Sequence, residues 1–428
     1  MERYRLGHLV VTLGVQAARE YLKVSYPVRY GSLSEIVSNG FTFYFNLNGE
    51  PKYVQGRPPQ WPHPAEWVKR TAGNDWIYYW SGEYAELFDL FGEYYLPCLP
   101  YPSNSIFPAG PLEKEGVAQA AGAYNALSEA LSGLEAHRCP GRLRDFLDKV
   151  AACTPSALSA KAERLHALLG GPLSVLPPEC RHVDYDVLPV MVTRGCLYHC
   201  AFCRVQSQEQ FSTVPHTALL DQIEELRRLY ADDLPNYKAV FLGCHDALAA
   251  GEELIEFAAR HAFAAFDLEG SLLRGMPLLF LFGSAHSLLG SPQTLFETLD
   301  RLPYYTYINI GLESPDTETL RILGKPLEGP EVEKAFEKML WVNERYRRVE
   351  VSANFVLGGA LPPAHLCRLG DFVRDKLARF SDKGAIYLSP LVDTSRLSAQ
   401  VRRAFVRDFQ RIKLRSRLPA YLYLIQRL

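Results

Sequence analysis

The second half of the chain alternates between short apolar runs and amphipathic segments, and this alternation constrains the fold more than any other feature. The apolar runs lie at residues 186–194, 237–243, 277–283, 305–311, 349–359 and 385–390. Apolar residues recur at helical spacing in segments 216–230, 251–264, 292–301, 330–346, 363–379 and 397–412. Strands that are apolar along their whole length are typical of a parallel sheet covered on both faces. The pattern predicts an α/β fold whose six parallel strands either curl into a barrel or lie open, with the functional site at their carboxyl ends.

The first 180 residues lack this regular alternation, and their pattern predicts an α+β domain of unknown role. We expect a helix near the start of the chain, a hairpin over 41–56, a strand at 75–82, and helices at 112–136, 142–152 and 156–169. The hairpin prediction depends on Asn48–Gly49, a dipeptide that suits the tightest hairpin turns. A stretch rich in Gly and Pro at 170–181 indicates a linker. The predicted division is an N-terminal domain with a helical bridge (1–180), an α/β core (181–395) and a C-terminal helical extension (396–428).

Composition excludes several classes of protein. The chain has 428 residues and a net charge of −2, so no overall basic field attracts nucleic acid. No apolar run approaches the roughly 20 residues that a membrane-spanning helix requires. The cysteines are odd in number, nine, and most are scattered singly, which argues against a disulfide framework and for a reducing compartment. We therefore expect a cytoplasmic protein with no membrane span. The net charge disfavours a nucleic-acid partner, although the local basic stretches at 142–149 and 411–417 leave that alternative open.

Three of the cysteines are crowded into one short loop, in the stretch "TRGCLYHCAFC" directly after the first predicted strand of the core. A closed zinc site needs four ligands, and His199 is adjacent to Cys200 and points elsewhere. A redox pair would use Cys200 and Cys203 but leaves Cys196 unexplained. An iron–sulfur cluster held by three thiolates would leave one iron open to a small ligand. A zinc-binding interaction module and an iron–sulfur protein for electron transfer or redox sensing remain alternatives at this point.

The spacing Cys196-x3-Cys200-x2-Cys203, with the aromatic Phe202 before the last cysteine, resembles the cluster loop of the radical S-adenosylmethionine enzymes. The resemblance implies a partial (β/α)6 TIM-like barrel and a 4Fe-4S cluster with the three cysteines as its metal ligands. It also implies that S-adenosyl-L-methionine binds the open iron and is cleaved reductively to methionine and a 5′-deoxyadenosyl radical. A reductant such as flavodoxin or ferredoxin is implied as a partner. The substrate is expected to be a small or lipid-like molecule that the sequence does not identify.

The stretch "INIGLESPDTETLRILGKP" resembles the fourth-strand motif of a large subgroup of these enzymes, whose core is Gly-Leu-Glu-Ser. The resemblance implies that Glu313 and Ser314 contact the ribose or the amino-acid end of the cofactor, and that Lys325 pairs with its carboxylate. The same residues also form a good helix start. Ser314 before Pro315 is therefore predicted to be the N-cap of the next helix, which leaves Glu313 free to face inward.

Two further segments extend the resemblance. In "FLGCHDALAAGEELIEF" the positions that face the cofactor's amino group are taken by Gly243, Cys244, His245 and Asp246, in place of the common Gly-Gly-Glu form. In "ANFVLGG" the backbone of Val356 and Leu357 is implied to read the edge of the adenine. Cys244 stands at the end of the second strand, where a thiol can face either the cofactor or a substrate. The first 180 residues carry no Asp-x-His-x-x-Gly signature, so a cobalamin-dependent reaction is not indicated.

Overall fold

The fold is given by a computed structural model. It describes residues 1–23, 27–57, 59, 61–82, 85–99, 101, 106, 111–132, 139–203, 209–358, 361–376, 383–391 and 398–428. Within these residues no helix is both long enough and apolar enough to cross a membrane.

The first hundred residues form an eight-stranded sheet in which each strand pairs antiparallel with the next along the chain. Its elements are β1 (Glu2–Leu6), β2 (Leu9–Gln16), β3 (Ser32–Ser38), β4 (Phe41–Phe45), β5 (Pro51–Gly56), β6 (Trp67–Arg70), β7 (Trp76–Trp80), α1 (Ala85–Phe91) and β8 (Leu96–Cys98). The helix predicted near the start of the chain is wrong. Leu9, Val11 and Leu13 are buried at a period of two, and β-branched neighbours favour the extended backbone.

The predicted hairpin around Asn48–Gly49 is confirmed. It joins β4 to β5, and Gly49 has φ of +79° in the turn, a conformation that favours glycine. The loop reaches the other half of the molecule, because the Asn46 amide donates a hydrogen bond to the Asp233 carboxylate at 3.0 Å. The strand predicted at 75–82 is confirmed as β7.

Three helices follow this sheet in the chain, as the sequence predicts, and the first two pack against it. They are α2 (Glu115–Ser132), α3 (Gly141–Ala152) and α4 (Pro155–Leu169). Aromatic pairs join helix and sheet: Tyr124 of α2 lies 6.3 Å from Phe43, and Phe146 of α3 lies 5.7 Å from Phe45, between ring centroids. α4 ends at Gly170, which adopts the left-handed conformation with φ of +83°.

The second half forms a parallel sheet of seven strands, one more than predicted. In chain order its elements are β9 (Leu188–Met191), β10 (Thr193–Arg194), β11 (Ser212–Thr213), α5 (His216–Tyr230), β12 (Ala239–Gly243), α6 (Glu252–Ala265), β13 (Leu278–Ser284), α7 (Ala285–Gly290), α8 (Gln293–Arg301), β14 (Tyr305–Glu313), α9 (Thr317–Ile322), α10 (Gly329–Arg345), β15 (Val349–Leu357), α11 (Pro363–Asp375), β16 (Ile386–Pro390), α12 (Ala399–Arg415) and β17 (Ala420–Leu422). β17 has three residues, too few for a recognisable pattern, and it lies in the segment predicted to be only helical.

The strands of this sheet follow one another in space as they do in the chain, in the order β9-β12-β13-β14-β15-β16-β17. A doubly wound sheet reverses its order at a switch point, so that alternative is excluded. With right-handed crossovers, an unreversed order places the helices on one face. The inner face receives a 3₁₀ helix, Pro178–Val183, whose Glu179 accepts hydrogen bonds from Asn309 at 3.2 Å and from the hydroxyl of Ser352. The chain is therefore a mixed α/β protein with a singly wound parallel sheet.

Buried ion pairs join the antiparallel sheet to the amino ends of the parallel strands. Lys69 of β6 lies 3.1 Å from Asp184 and 2.9 Å from Asp186, and Lys52 of β5 lies 2.8 Å from Asp186. The hydroxyl of Tyr79 donates to Asp184 at 2.5 Å. All of these side chains are buried, and the two aspartates stand just before β9. The core is continuous across this junction.

Candidate functional site

The three-cysteine loop leaves the carboxyl end of β9, where the sequence predicts it. A short ribbon closes its base, because Thr193 and Arg194 of β10 pair with Thr213 and Ser212 of β11. Gly195 enters the loop with φ of +72°, and a Cβ there would lie 2.3 Å from the carbonyl oxygen of Gln210. Only glycine fits this position. Residues 204–208, in the return part of the loop, lie outside the described residues.

The three thiols differ in exposure. Cys200 is buried, whereas Cys196 and Cys203 are half-buried, as is Phe202. Burial raises the pKa of the Cys200 thiol to about 11, an effect that the nearby Lys325 ammonium opposes and the thiols of Cys196 and Cys203 reinforce. The thiols are therefore close enough to influence one another. Among the described residues, no three His, Cys, Asp or Glu side chains are gathered tightly enough to hold a single metal ion.

The loop is fastened to the segment after α9. The amide of Ala201 donates to the carbonyl oxygen of Leu323 at 3.1 Å, and within the loop the amide of Cys203 donates to that of Cys200, also at 3.1 Å. Gly324 has φ of +65°, and a Cβ there would lie 3.0 Å from that of Ala201. This close approach brings the next residue, Lys325, to the cysteines.

Lys325 and Glu313 form a buried ion pair beside the loop. The Lys325 Nζ lies 3.1 Å from Glu313 Oε1, and it also donates to the carbonyl oxygen of Gly311 at 3.0 Å. Burial alone would lower the pKa of Lys325, but the Glu313 carboxylate and the Cys200 thiol raise it above its ordinary value. The ammonium therefore stays charged. It also lies 5.1 Å from the ring centroid of Tyr198, a loop residue that the sequence analysis did not single out.

The backbone at Glu313 is unusual. Its φ is +64°, in a region that side-chain-bearing residues rarely adopt, and the register between β14 and β15 shifts between Gly311 and Glu313. Such conformations cost about 1–3 kcal/mol and cluster at functional sites. The bulge turns the Glu313 side chain back toward Lys325 and the cysteine loop.

The prediction that Ser314 caps the following helix is wrong. α9 begins at Thr317, and its cap is Asp316, whose Oδ2 accepts from the amide of Thr319 at 3.0 Å. The hydroxyl of Ser314 is fully buried and accepts from the amide of Asp316 at 3.0 Å. It also lies 2.8 Å from Nδ1 of His365.

His365 was missed by the sequence analysis, yet it links two of the predicted cofactor segments. Its Nε2 lies 2.8 Å from the carbonyl oxygen of Val356, which can only accept, so Nε2 carries the proton. In the neutral ring Nδ1 then accepts from the Ser314 hydroxyl, and burial lowers the pKa of His365, which favours this neutral form. A single histidine in the first turn of a helix carries no sequence signal. The structure shows that it ties the ends of β14 and β15 together.

Val356 and Leu357 end β15, and both are buried. The carbonyl oxygen of Leu357 accepts from the amide of Leu391 at 2.7 Å. A Cβ at Gly358 would lie 3.1 Å from the carbonyl oxygen of Leu391, so the small residue permits the two strand ends to meet. Gly359, the second glycine of the predicted pair, lies outside the described residues.

Gly243 and Asp246 follow β12. The carbonyl oxygen of Gly243 accepts from the amide of Val192 at 2.6 Å, and a Cβ at Gly243 would meet the Met191 side chain. Asp246 caps the 3₁₀ helix Ala247–Ala250, because its Oδ1 accepts from the amide of Ala249 at 3.2 Å. Burial raises the pKa of Asp246 above its ordinary value. The hydrogen bond from Ala249 to the Asp246 side chain therefore stabilises the start of this 3₁₀ helix.

The structure brings some of the predicted site residues together and leaves others apart. Cys200, Lys325 and Glu313 form one group with Tyr198, whose hydroxyl accepts from the amide of His286 at 3.2 Å. Ser314 and Val356 form a second group through His365, directly beside the first because Ser314 follows Glu313 in the chain.

Comparisons with known proteins give similarity in solved structures alone. No protein-family model matches the chain. No curated protein matches it either. The SuiB structure from Streptococcus suis bound to S-adenosylmethionine is 11% identical over 83% of this chain and 71% of that one, with a TM-score of 0.37. OxsB, a cobalamin-dependent S-adenosylmethionine radical enzyme, is 14% identical over 56% of this chain, with a TM-score of 0.33. An N-terminally truncated archaeal Elp3 from Methanocaldococcus infernus is 13% identical over 41% of each chain, with a TM-score of 0.27.

The chain spans about a third of the length of the OxsB chain it matches. Identities and TM-scores this low assign no activity to this chain.

Proposed function

We propose that the protein is a radical S-adenosylmethionine enzyme, in which a 4Fe-4S cluster reductively cleaves S-adenosyl-L-methionine to a 5′-deoxyadenosyl radical that acts on a small-molecule substrate. One observation carries this proposal. Three thiols on a single loop at the carboxyl end of the first parallel strand adjoin a buried Glu313–Lys325 pair at the end of the fourth. The proposed cluster loop and a group that would recognise an amino acid thus share one edge of the sheet.

The donor set fits such a cluster. Cys196, Cys200 and Cys203 would each bind one iron, and a fourth iron without a thiolate would accept the amino and carboxylate groups of the cofactor. The cluster and the cofactor, when bound together, would supply the electron transfer that cleaves the sulfonium. The buried Lys325 ammonium offsets negative charge beside Cys200. The protein's own contribution is to hold the loop against Leu323 and to keep water from the reacting groups.

The residues around the loop would orient the cofactor. Glu313, buried and turned inward, would accept hydrogen bonds from ribose hydroxyls or the ammonium group, and Lys325 would pair with the carboxylate. The chain segments at Gly243 and Asp246 and at Ser314, Val356 and Leu357 would line the rest of the cofactor. Because the Ser314 hydroxyl is held by His365, this segment would contribute shape and backbone rather than a free hydroxyl. Phe202 would pack beside the cluster.

The partners follow from the chemistry. A one-electron reductant of the flavodoxin or ferredoxin type would reduce the cluster, and the substrate would be a small or lipid-like molecule. We propose the cytoplasm as the location, because free cysteines of this kind survive in a reducing compartment. The division of the chain at about residues 180 and 395 stays a prediction.

The test is anaerobic reconstitution with iron and sulfide, followed by reduction with dithionite in the presence of S-adenosyl-L-methionine. The proposal predicts about four irons per chain and formation of 5′-deoxyadenosine and methionine in equal amounts. A parallel sample reconstituted with zinc should form neither. A full cluster with no cleavage would favour electron transfer or redox sensing instead, and tight zinc binding without a cluster would favour an interaction module.

A further inference from the structure

A cavity of about 360 Å³ lies beside the cysteine loop and borders the segment after β12 that is proposed to contact the cofactor. One wall is formed by the carboxyl ends of β9, β12 and β13, at Met191, Cys244 and Phe282. The opposite wall is the chain segment 169–175, which runs from the end of α4. The volume of the cavity is within the range of about 300–1,000 Å³ typical of small-molecule sites.

The segment 169–175 is a fixed wall. The carbonyl oxygen of Leu173 accepts from the amide of Leu428 at 3.2 Å, and the amide of the nearby Leu176 donates to the carbonyl oxygen of Gln426 at 3.0 Å. Gly170 and Gly171, with φ of +83° and +143°, turn the chain at its start. The Gly and Pro content of this stretch predicts a linker. In the structure, its backbone closes the cavity on this side.

About half of the lining is apolar. Phe241 and Phe282 meet edge to face with ring centroids 6.0 Å apart, and Met191 and Val175 extend the same surface. Aromatic faces of this kind stabilise a bound apolar body by burying its surface. The cavity therefore suits a ligand whose body is largely hydrocarbon or aromatic.

The polar part of the lining includes Arg194, His245 and the carboxylate-bearing Glu209. Arg194 is exposed, and within the described residues its guanidinium makes no hydrogen bond or ion pair. His245 is half-buried, and its imidazole likewise has no partner in that part of the chain. Burial lowers the pKa of His245, so the ring is neutral at pH 7 and able to hydrogen-bond. An unpaired guanidinium is suited to a planar or tetrahedral oxyanion.

The cavity also adjoins the cysteine loop itself. Gly195, which precedes Cys196, lines it, and so does Cys244. The amide of Cys244 donates to the hydroxyl of Thr193, just before the loop, at 3.1 Å. A molecule in the cavity would therefore lie next to the site of radical formation.

We propose that this cavity is the substrate site, and that it takes a small molecule with an apolar body and an anionic group, carboxylate or phosphate, held by Arg194. Calling the bound molecule a substrate rests on the proposed function, but the proposed binding of such a molecule does not. Arg194 selects the anion, the Phe241–Phe282 surface receives the body, and His245 supplies a further hydrogen bond.

Protection of Cys244 from alkylation tests this binding on the full chain carrying its cluster. The probes are 3-phenylpropionate, 2-phenylethyl phosphate and the neutral 3-phenylpropanol. Alkylation by N-ethylmaleimide is followed by mass spectrometry of the peptide that contains Cys244. We expect at least one anionic probe to protect Cys244 about tenfold or more better than the alcohol, since a charge-assisted hydrogen bond is at stake. Which anion protects better distinguishes a carboxylate from a phosphate substrate.

Variants assign the effect to named residues. Arg194→Gln should weaken protection by the anions about tenfold without changing that by the alcohol, and Arg194→Lys should restore part of it. Arg164→Gln is the matched control, because Arg164 is an exposed arginine of α4 that has no side-chain partner within the described part of the chain and does not line the cavity. Ser174→Trp, on the outer wall, should fill the cavity and abolish protection by every probe, and it serves if Arg194→Gln does not fold.

Equal protection by the anions and the alcohol would overturn the role of Arg194, and no protection by any probe would overturn the cavity as a binding site. These outcomes are separate from the proposed function. Protection without 5′-deoxyadenosine formation would keep the site and remove the radical chemistry, whereas cleavage without protection would do the reverse.

Discussion

Charged side chains have different surroundings at the two ends of the parallel strands. At the amino ends, Lys52, Lys69, Asp184 and Asp186 pair with one another and fasten the antiparallel sheet to the core. At the carboxyl ends, the Glu313–Lys325 pair stands beside the Cys200 thiol, and Arg194, which has no side-chain partner among the described residues, lines a cavity next to the same loop. The charges at the amino ends join two sheets and hold the fold, whereas those at the carboxyl ends lie beside a loop and a cavity that can admit a ligand. The predictions below test whether the two ends separate in this way.

The largest effect is expected at the cysteine loop. Cys196→Ala, Cys200→Ala and Cys203→Ala should each abolish the brown chromophore and 5′-deoxyadenosine formation, because each removes the thiolate of one iron. Iron content and product formation after anaerobic reconstitution are the measurements. Full cleavage by any of the three variants would contradict the assignment.

The other cysteines supply the matched controls. Cys98, Cys139, Cys153, Cys180 and Cys367 have no ligand spacing in the sequence, and Cys98 and Cys180 are buried in the core. Replacing the partly exposed Cys139 and Cys367 with Ser should leave the iron content unchanged. A stoichiometry near eight irons per chain would reveal a second cluster.

The next effect belongs to the amino ends. Lys69→Met leaves the carboxylates of Asp184 and Asp186 buried with less compensation, so the free energy of unfolding should fall by about 3–5 kcal/mol. Denaturant titration measures it. In the exposed control, Arg227→Ala in the Arg227–Glu224 pair of α5, the loss should be below about 1 kcal/mol. If folded Lys69→Met instead keeps its stability and binds the cofactor more weakly, the two ends of the strands do not have separate roles.

Glu313→Ala should weaken cofactor binding in addition to lowering stability, because it leaves the buried Lys325 ammonium without its carboxylate. Loss of a charge-assisted hydrogen bond of about 1.5–3 kcal/mol weakens S-adenosyl-L-methionine binding about ten- to a hundredfold, with full iron content. Calorimetric titration of the reconstituted protein is the measurement. Glu318→Ala, which removes an exposed carboxylate of α9, is the control. Unchanged affinity in Glu313→Ala would make Glu313 structural, and lost iron would mean that it supports the loop.

The smallest effect concerns His365 and depends on pH. Because burial lowers its pKa in the folded state, the unfolded chain binds more protons as the pH falls below about 6.5. His365 therefore costs stability at acid pH, and the neutral-pH advantage of wild type over His365→Gln should shrink between pH 7 and pH 5. Denaturant titrations across this range check it. A gap that widens on acidification would show that His365 is charged in the fold.

Local patterns predict much of this fold because the forces involved are local. The Asn48–Gly49 turn and the helices α2 to α6 follow from turn chemistry and helical spacing, and the parallel strands follow from their apolar runs. At the start of the chain the residues of β2 fit either a short helix or a strand, and pairing with β3 decides between them. β17 exists only because it adds to β16.

The site is less predictable than the fold. The sequence identifies the cysteines and places Glu313 and Lys325, which the structure brings together. It assigns the helix cap to Ser314 rather than Asp316, because both are cap residues and the positive φ of Glu313 is invisible in sequence. His365 and Tyr198 depend on contacts across 51 and 88 positions of the chain, which no local pattern encodes.

If three thiolates hold the cluster, one iron stays open for S-adenosyl-L-methionine. Electron paramagnetic resonance of the dithionite-reduced, reconstituted protein measures this, with the cofactor added under conditions too cold for turnover. We expect the cluster spectrum to change on addition of the cofactor, and the change to saturate at one cofactor per cluster. A spectrum that stays the same at saturating cofactor would show that no iron is open to it.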